Sequence, residues 1–240
     1  MTAGILAVLF LATLIRSVFG FGEALVAVPL LAFLLPVDVA APIAALTSIT
    51  VAVVMLARDW SHVHVRSAGR LVLATLFGIP LGLLLLTRVP EPVVKALLGG
   101  VIIAFSLHAL LGKGGRLILR DDRYAWAFGF AAGVLGGAYG MNGPPLVVYG
   151  TLRRWPPPRF RATLQGYFLP ASMMVMAGYA IAGLWTREVT GYYLLSLPPV
   201  LAAILLGRFI CRYLDGERFL LYIHAALILI GLALLGESLL

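Results

Sequence analysis

The chain has 240 residues, of which 62% are hydrophobic and 12% are charged, and its formal net charge is +8. An ordinary soluble domain is about 45–50% apolar and about 25% charged, and a chain of this size cannot bury so much apolar surface in one core. The composition therefore excludes a soluble globular enzyme, a disordered chain and a secreted disulfide scaffold, and the basic excess is typical of cytoplasmic loops rather than of nucleic-acid binding.

The hydropathy pattern predicts an all-α polytopic membrane protein with eight hydrophobic segments. Two segments are interrupted, and six are continuous and long enough for a helix of about 20 residues to cross the bilayer. The first interrupted segment consists of the apolar runs 3–15 and 24–35, and the second consists of 124–135 and 146–152. The six continuous segments are 39–57, 69–88, 92–112, 160–184, 189–208 and 218–237.

Each interrupted segment is predicted to form two half-length helices around a Gly-rich polar break. The second break is the sequence GGAYGMNGPP at 136–145. The first break contains Arg16, Ser17, Gly20, Gly22 and Glu23. Interrupted segments at corresponding places in two halves of a chain are the best sequence indication of a transporter binding site.

The two halves of the chain correspond to each other. Gly20-Phe21-Gly22 and Gly140-Met141-Asn142 are separated by an offset of 120 residues, and each half is a broken segment followed by three continuous ones. The order predicts two membrane repeats, residues 1–120 and 121–240, within one membrane domain.

The distribution of Lys and Arg predicts the topology, because basic residues concentrate on the cytoplasmic side. If all eight segments cross once, about eight basic residues lie inside and nine outside. If each interrupted segment is a re-entrant hairpin, fourteen lie inside and three outside. The second arrangement predicts two inverted repeats with basic loops in the cytoplasm and both termini outside. The alternative, in which each interrupted segment is a broken helix that crosses once, stays open.

The meeting point of the two hairpin tips is a candidate anion site, because the second helix of each hairpin begins there with free N–H groups and a positive dipole end. Asn142 or Gly143 is expected to be an N-cap, with Pro144 at the first helical position. Glycines let backbone approach a ligand closely, or they serve only tight turns and helix packing. The predicted tip residues of the site are Gly20, Gly22, Gly140, Asn142 and Gly143.

Arg16 and Glu23 are charged residues inside a hydrophobic segment. Placing an arginine there costs about 2.5–3.5 kcal/mol on insertion scales, so such a residue usually has a partner or a substrate. Arg16 could hold an anion or form a structural ion pair with Glu23. Glu23 could carry a coupled proton or serve only that ion pair.

Four polar residues of the continuous segments extend the candidate site. Thr47 and Ser48 in segment 39–57 are placed opposite Thr163 and Gln165 in segment 160–184 by the repeat. Their hydroxyl and amide groups could complete a shell of donors around an anion. Hydrogen bonds between helices are the alternative role for such residues.

No set of side chains for catalysis or metal binding is apparent in the sequence. Paired aspartates, a Ser/His pair and an HExxH helix are missing, and the Gly-rich breaks lack the Lys-Ser/Thr ending of a phosphate-binding loop. The sequence therefore predicts a protein that is not an enzyme and that needs no metal or cofactor.

Four stretches resemble the sulfite exporter TauE/SafE family, also called the toluene-sulfonate uptake permease family. They are GFGEALVAVPLLAFLLP, APIAALTS, GVLGGAYGMNGPPLVVYG and FRATLQGYF, in this order along the chain. The resemblance implies a bacterial inner-membrane transporter of small sulfur-containing anions, with motif positions at Gly20, Gly22, Pro29, Gly140, Gly143 and Pro144. Glu23, Ala24 and Asn142 stand where the family often has further glycines, which leaves the substrate and the coupling ion open.

Residues and resemblance together predict a secondary transporter that moves a small sulfur-containing anion, such as sulfite or a sulfonate, with Glu23 as the candidate for proton coupling. Its partners would be the anion and the lipid bilayer, and one repeat would rock against the other. The alternatives are a passive anion channel and a membrane scaffold that transports nothing. The identity of the anion, the direction of transport, the stoichiometry and the oligomeric state stay open.

Overall fold

The computed structural model describes residues 2–59, 65–111, 119, 121–210 and 216–238. Within these ranges the chain forms ten helices and no strand, which confirms the all-α class. The helices are α1 Thr2–Phe19, α2 Glu23–Leu31, α3 Val37–Asp59, α4 Val65–Arg88, α5 Glu91–Leu111, α6 Tyr124–Tyr139, α7 Gly143–Leu152, α8 Pro157–Ile181, α9 Arg187–Ile210 and α10 Gly216–Ser238.

Several helices have the length and the apolar composition of membrane-spanning helices. Five helices of the described ranges, α1, α3, α4, α5 and α9, are long and apolar enough to cross a membrane. Large apolar side chains also lie on the outer surface of the bundle, including Phe77, Leu205 and Leu229, each more than 60% exposed. An apolar surface of this extent is unfavourable in water and is solvated by lipid.

The two breaks lie where the sequence predicts them. α1 ends at Phe19 and α2 begins at Glu23, while α6 ends at Tyr139 and α7 begins at Gly143, so the offset of 120 residues holds on both sides of the break. The glycines of the breaks have positive φ angles, 85° at Gly20, 96° at Gly22 and 64° at Gly140. These left-handed conformations suit glycine, which has no Cβ to clash with the backbone.

The first helix of each broken pair is longer than the predicted half-length helix. α1 has 18 residues and α6 has 16, whereas the apolar runs 3–15 and 124–135 predicted fewer. The first helix continues through Arg16 and Ser17 because both side chains have hydrogen-bond partners: Arg16 Nη2 donates to Gln165 of a neighbouring helix, and Ser17 Oγ donates to Thr13 O at 2.8 Å. Polar residues thus mark the break in sequence slightly before the helix ends.

Each short helix folds back along the helix that precedes it. In the first pair, a Cβ added to Gly4 at the start of α1 would lie 3.5 Å from Leu34 Cδ1, which follows α2. In the second pair, Leu119 N donates to Leu152 O at 3.0 Å, so the end of α7 lies beside the residues that precede α6. The ends of each pair therefore lie together, as in a hairpin. We refer to residues 2–35 as hairpin 1 and residues 119–153 as hairpin 2.

The two halves of the chain interleave in space. α1 packs against α9, and in the corresponding way α6 packs against α4. α3 packs against its counterpart α8, and α5 packs against its counterpart α10. Each hairpin therefore lies against a helix of the opposite half of the sequence.

The contact between α4 and α6 is made through glycines. A Cβ added at any of five positions would overlap backbone atoms of the facing helix, and these positions are Gly78, Gly82, Gly129, Gly133 and Gly137. The close approach also lets Thr75 Oγ1 of α4 donate to Gly129 O of α6 at 2.9 Å. Small residues at helix contacts give this close packing in membranes, where water does not drive helices together.

We expect Gly133→Ala to lower the stability of the protein by about 1–3 kcal/mol, the usual effect of overpacking. The new methyl group would meet Gly78 Cα at 2.9 Å and the backbone of Thr75. Gly100→Ala is the matched control, because nothing lies within 4 Å of its added Cβ, and it should be neutral or slightly stabilising. Thermal unfolding of both variants in detergent measures the difference. Equal midpoints would contradict the tight α4–α6 contact.

Candidate functional site

The two breaks meet at a small cavity inside the bundle. Its volume is about 20 Å³, enough for about one water molecule. Seven of the eleven predicted site residues line it, namely Arg16, Gly22, Glu23, Ser48, Gly140, Asn142 and Gly143. The structure thus brings residues from both halves of the sequence to one place.

The Arg16 guanidinium is the centre of a buried hydrogen-bond network. Its Nη1 donates to Glu23 Oε2 at 2.5 Å and to Ser48 Oγ at 2.7 Å, and its Nη2 donates to Gln165 Oε1 at 2.9 Å. The side chain is 2% exposed, although it is large and charged. Arg16 therefore joins α1 to α2, α3 and α8 at the level of the breaks.

Glu23 is the partner of Arg16, so the ion pair considered from the sequence is present. The carboxylate lies in the first turn of α2, where the helix dipole favours a negative charge. Thr13 Oγ1 also donates to Glu23 Oε1 at 3.5 Å. A buried pair of this kind contributes little net stability, while removal of one partner leaves a costly unpaired charge.

Gln165 links the guanidinium to the first break. Its Oε1 accepts from Arg16, and its Nε2 donates to Gly20 O at 2.7 Å. Gly20 itself is not among the residues lining the cavity. Its contribution is this carbonyl oxygen, which is held by a side chain from the other half of the sequence.

Asn142 places a donor at the cavity. It is the N-cap of α7, but its side chain makes no capping hydrogen bond. The residue is 4% exposed, and its Nδ2 makes no hydrogen bond. Pro144 stands at the second helical position, one residue later than predicted, because α7 begins at Gly143. A buried N–H group without an acceptor is unfavourable, so an oxygen acceptor brought within reach of Nδ2 would be bound favourably.

The two predicted threonines are buried but are not among the cavity residues. Thr47 Oγ1 donates to Ile43 O of its own helix at 2.9 Å, which is common for hydroxyl side chains in helices. Thr163 is 1% exposed. Ser48, the neighbour of Thr47, is the hydroxyl of α3 that reaches the cavity.

Aromatic residues that the sequence reasoning missed also line the cavity. The Phe168 ring lies 4.7 Å from Arg16 Cζ, in a cation–π contact, and Phe21 and Phe105 contribute further apolar walls. Phe168 could have been found from its spacing, since it lies three residues after Gln165 and shares its helix face. The sequence gives no comparable indication for Phe105, because its place at the cavity depends on how α5 packs against the other helices.

The arrangement offers a buried cation, a free amide donor and a hydroxyl group, with a carboxylate beside them. These groups suit recognition of a small oxyanion rather than bond cleavage. Among the described residues, no group of three His, Cys, Asp or Glu side chains could hold a metal ion.

Comparisons with known proteins identify the family of the chain. The profile of the family "Sulfite exporter TauE/SafE" matches residues 5–234. A curated protein of Cupriavidus necator named "Probable sulfite/organosulfonate exporter TauE" is 25% identical over 210 residues, which cover 85% of this chain and 82% of the relative. No solved structure matches the chain. The match over nearly the whole length shows that the chain belongs to the sulfite exporter TauE/SafE family of membrane transporters.

Proposed function

We propose that the protein is a secondary transporter of a small sulfur-containing anion, sulfite or an organosulfonate. The observation that carries this proposal is the buried Arg16 guanidinium at the junction of two helix breaks, at a cavity that Asn142 also lines. The name of the Cupriavidus necator relative supplies the class of anion. A three-oxygen sulfur group would accept hydrogen bonds from several donors at once.

In this proposal the protein consists of two inverted repeats, residues 1–120 and 121–240, each a re-entrant hairpin followed by three membrane-spanning helices. Three features support it. The ends of each hairpin lie together, the boundaries of the two breaks repeat at an offset of 120 residues, and the helix pairs correspond between halves. Three crossings after each hairpin would invert the second repeat relative to the first.

The distribution of basic residues supports one sidedness. Arg70 and Arg153 both pair with Asp122 at the base of hairpin 2, at 3.4 Å and 2.7 Å. We assign this base to the cytoplasmic side of the bacterial inner membrane, together with the other basic loops, and both termini to the outside. Hairpin 1 would then enter the membrane from outside.

The residues divide into three roles. Arg16 supplies the positive charge, and Ser48, Asn142 and the backbone of Gly22 and Gly143 supply further hydrogen bonds. Glu23 carries a coupled proton, because protonation would release Arg16 to bind an anion without leaving two negative charges beside it. Of the other predicted residues, Gly140 also lines the cavity. Gln165 and Gly20 are hydrogen-bonded to each other beside Arg16, and Thr47 and Thr163 lie outside the cavity.

Transport would require the cavity to open. Small-molecule pockets usually measure about 300–1,000 Å³, far more than the 20 Å³ enclosed here. In this proposal the described arrangement is a state with no room for the anion, and alternating access would separate its walls toward each side in turn.

Ligand-induced thermal stabilisation tests the proposal. Sulfite, sulfate, ethanesulfonate, taurine, acetate and chloride would be compared on the purified protein in detergent. A ligand at about 100 times its Kd stabilises by roughly 2.7 kcal/mol, and we expect this effect from sulfite or a sulfonate and not from acetate or chloride. No stabilisation by any sulfur anion would overturn the proposed substrate class.

Asn142→Leu should weaken sulfite binding about tenfold, since one hydrogen bond to a charged ligand is lost. Asn142 is also a side-chain hydrogen-bond partner of Tyr167, so the thermal midpoint of the variant without sulfite is measured first to establish that it remains folded. Thr47→Val is the matched control, as its hydroxyl bonds only within its own helix. The dependence of the thermal midpoint on sulfite concentration gives the apparent Kd of each variant. Equal affinities for the two variants would remove Asn142 from the site.

A further inference from the structure

Two buried polar side chains without hydrogen-bond partners lie on α5 and α10, close to the cavity. Ser106 of α5 is 0% exposed and His224 of α10 is 7% exposed. Neither Ser106 Oγ nor His224 Nδ1 makes a hydrogen bond. Buried hydroxyls elsewhere, such as those of Ser17 and Thr47, bond back to a carbonyl of their own helix. Unpartnered buried polar atoms are unfavourable for stability, so these two indicate a role other than holding the fold together.

The register of α5 and α10 places these side chains opposite each other. A Cβ added to Gly99 of α5 would meet Gly231 O of α10 at 2.7 Å. The Phe105 and His224 ring centroids are 5.6 Å apart, so the two helices run antiparallel. Ser106 lies about two turns after Gly99, and His224 lies about two turns before Gly231. Residues two turns apart share a helix face, so Ser106 and His224 occupy facing positions of this contact.

Phe105 connects this pair of side chains to the cavity. Its ring lines the cavity together with Arg16 and Glu23. The same ring packs against His224 at an interplanar angle of 64°. His224 itself does not line the cavity. The imidazole thus lies one ring away from the cavity, and a rotation of the Phe105 side chain would open a path between them.

In the proposed topology His224 lies on the cytoplasmic side of the site. α5 ends at Leu111 and α10 begins at Gly216, and the basic stretches beside these ends are assigned to the cytoplasm. At 1.5 Å per residue, His224 lies about 12 Å along α10 from that end. This distance is less than half of a hydrocarbon core of about 30 Å. The imidazole therefore lies between the cytoplasm and the level of the breaks.

Glu23 is the titratable group with which His224 can exchange a proton. α10 packs against α5 and, less extensively, against α2. On α5, Glu91 and Lys95 pair with each other at 3.6 Å near the opposite end of the helix, and His108 is exposed. On α2, Glu23 is buried at the cavity. The other charged positions of α10 itself are Glu217, Arg218 and Glu237.

We propose that His224 and Ser106 form a proton route between Glu23 and the cytoplasm, in which His224 carries the proton and the Phe105 ring separates it from the cavity. An imidazole gains and loses a proton near neutral pH, which suits it to this task. The inference rests on the proposed function, since it takes Glu23 as the group that binds the coupled proton.

Each step of the route conserves atoms and charge. When Glu23 loses its proton, the carboxyl O–H bond breaks, a water molecule relays the proton past Phe105, and an N–H bond forms at His224 Nδ1. The neutral carboxyl group becomes a carboxylate, and the neutral imidazole becomes an imidazolium. Ser106 Oγ would hydrogen bond to the relaying water. His224 then releases the proton to cytoplasmic water, and the reverse steps load Glu23 from the cytoplasm.

His224→Gln in proteoliposomes tests the route, with ethanesulfonate as the probe. A relay residue sets the speed of proton transfer but not the number of protons moved per anion. We therefore expect the initial rate of uptake driven by a pH gradient to fall about tenfold or more, because proton transfer by a positioned side chain typically contributes more than that. The final accumulation should equal that of the wild type. Exchange of labelled for unlabelled ethanesulfonate requires no net proton transfer, so its rate should be unchanged.

His108→Gln is the matched control, because His108 lies on the same pair of helices but its side chain is exposed. It should keep the wild-type rate of gradient-driven uptake. An unchanged rate in His224→Gln, or an equal loss in both variants, would overturn the inference. An equal loss of driven uptake and of exchange would give His224 a structural role and overturn it as well. Lower final accumulation with normal exchange would also overturn it, because His224 would then set the stoichiometry rather than the speed.

Ser106→Ala is a second variant, which keeps the test valid even if His224→Gln does not fold. Ser106 Oγ makes no hydrogen bond that the substitution would break. We expect gradient-driven uptake to slow about threefold at an unchanged rate of exchange, because one hydrogen bond to the relaying water is lost. Uptake at the wild-type rate would overturn the part assigned to Ser106.

The wild type in the same assays separates this inference from the proposed function. Absence of both exchange and accumulation in the wild type would contradict the proposed function itself. Exchange without accumulation would leave anion transport standing, but it would contradict proton coupling and overturn the proton route with it.

Discussion

Arg16→Gln is expected to lower the stability of the protein by about 3–5 kcal/mol and to abolish sulfite binding. The substitution leaves the Glu23 carboxylate buried at 2% exposure without its cation. The loss of stability should shrink as the pH is lowered, because protonation of Glu23 removes the unpaired charge. Thermal unfolding in detergent between pH 5 and 8, with and without sulfite, measures both effects.

The double variant Arg16→Gln with Glu23→Gln separates folding from binding. Both charges are removed, so most of the lost stability should return, as it does when a buried ion pair is replaced as a unit. Sulfite should still fail to stabilise this variant, because the cation is missing. If the double variant binds sulfite with the affinity of the wild type, Arg16 serves only the ion pair and the anion site lies elsewhere.

Glu23→Gln is expected to uncouple transport from the proton gradient. With one proton moved per monovalent anion, a gradient of one pH unit drives about tenfold accumulation of the anion. The wild type in proteoliposomes should show this accumulation, and Glu23→Gln should only equilibrate the anion across the membrane. Ethanesulfonate is the suitable substrate, since its charge does not change over the pH range used.

Anion exchange provides the control for that experiment. Glu23→Gln retains Arg16, so exchange of labelled for unlabelled ethanesulfonate should continue. A passive channel predicts a different result, with no accumulation by the wild type and no effect of the substitution. Gradient-driven accumulation by Glu23→Gln at the wild-type level would remove Glu23 from proton coupling.

Local sequence features predicted much of the candidate site. Gly20, Gly22 and Gly140 were found because positive φ angles and tight breaks favour glycine whatever surrounds them. Arg16 and Glu23 were found because a charged side chain inside an apolar segment is energetically unfavourable and usually has a partner or a ligand. Phe105 was missed, since an apolar residue in an apolar helix carries no such signal.

The lengths of α1 and α6 show a limit of predicting helix ends from hydropathy. Runs of apolar residues predicted an end near Ile15, yet α1 continues to Phe19. A polar side chain interrupts the hydropathy pattern, but it does not interrupt the helix when its hydrogen bonds are satisfied by neighbours. Those neighbours lie on α2, α3 and α8, and the sequence around Arg16 does not show that these helices contact it.

The membrane character, the helix order, the two breaks and most of the charged and glycine positions of the candidate site could be predicted from the sequence, because composition, periodicity and backbone freedom are local properties. Which helices pack together became known from the three-dimensional fold. Close approach of α4 and α6 depends on glycines of both helices meeting in register. The role of Gln165 likewise depends on a contact with Arg16 across 149 positions of the chain. Such contacts arise from packing in three dimensions, so no local pattern in the chain encodes them.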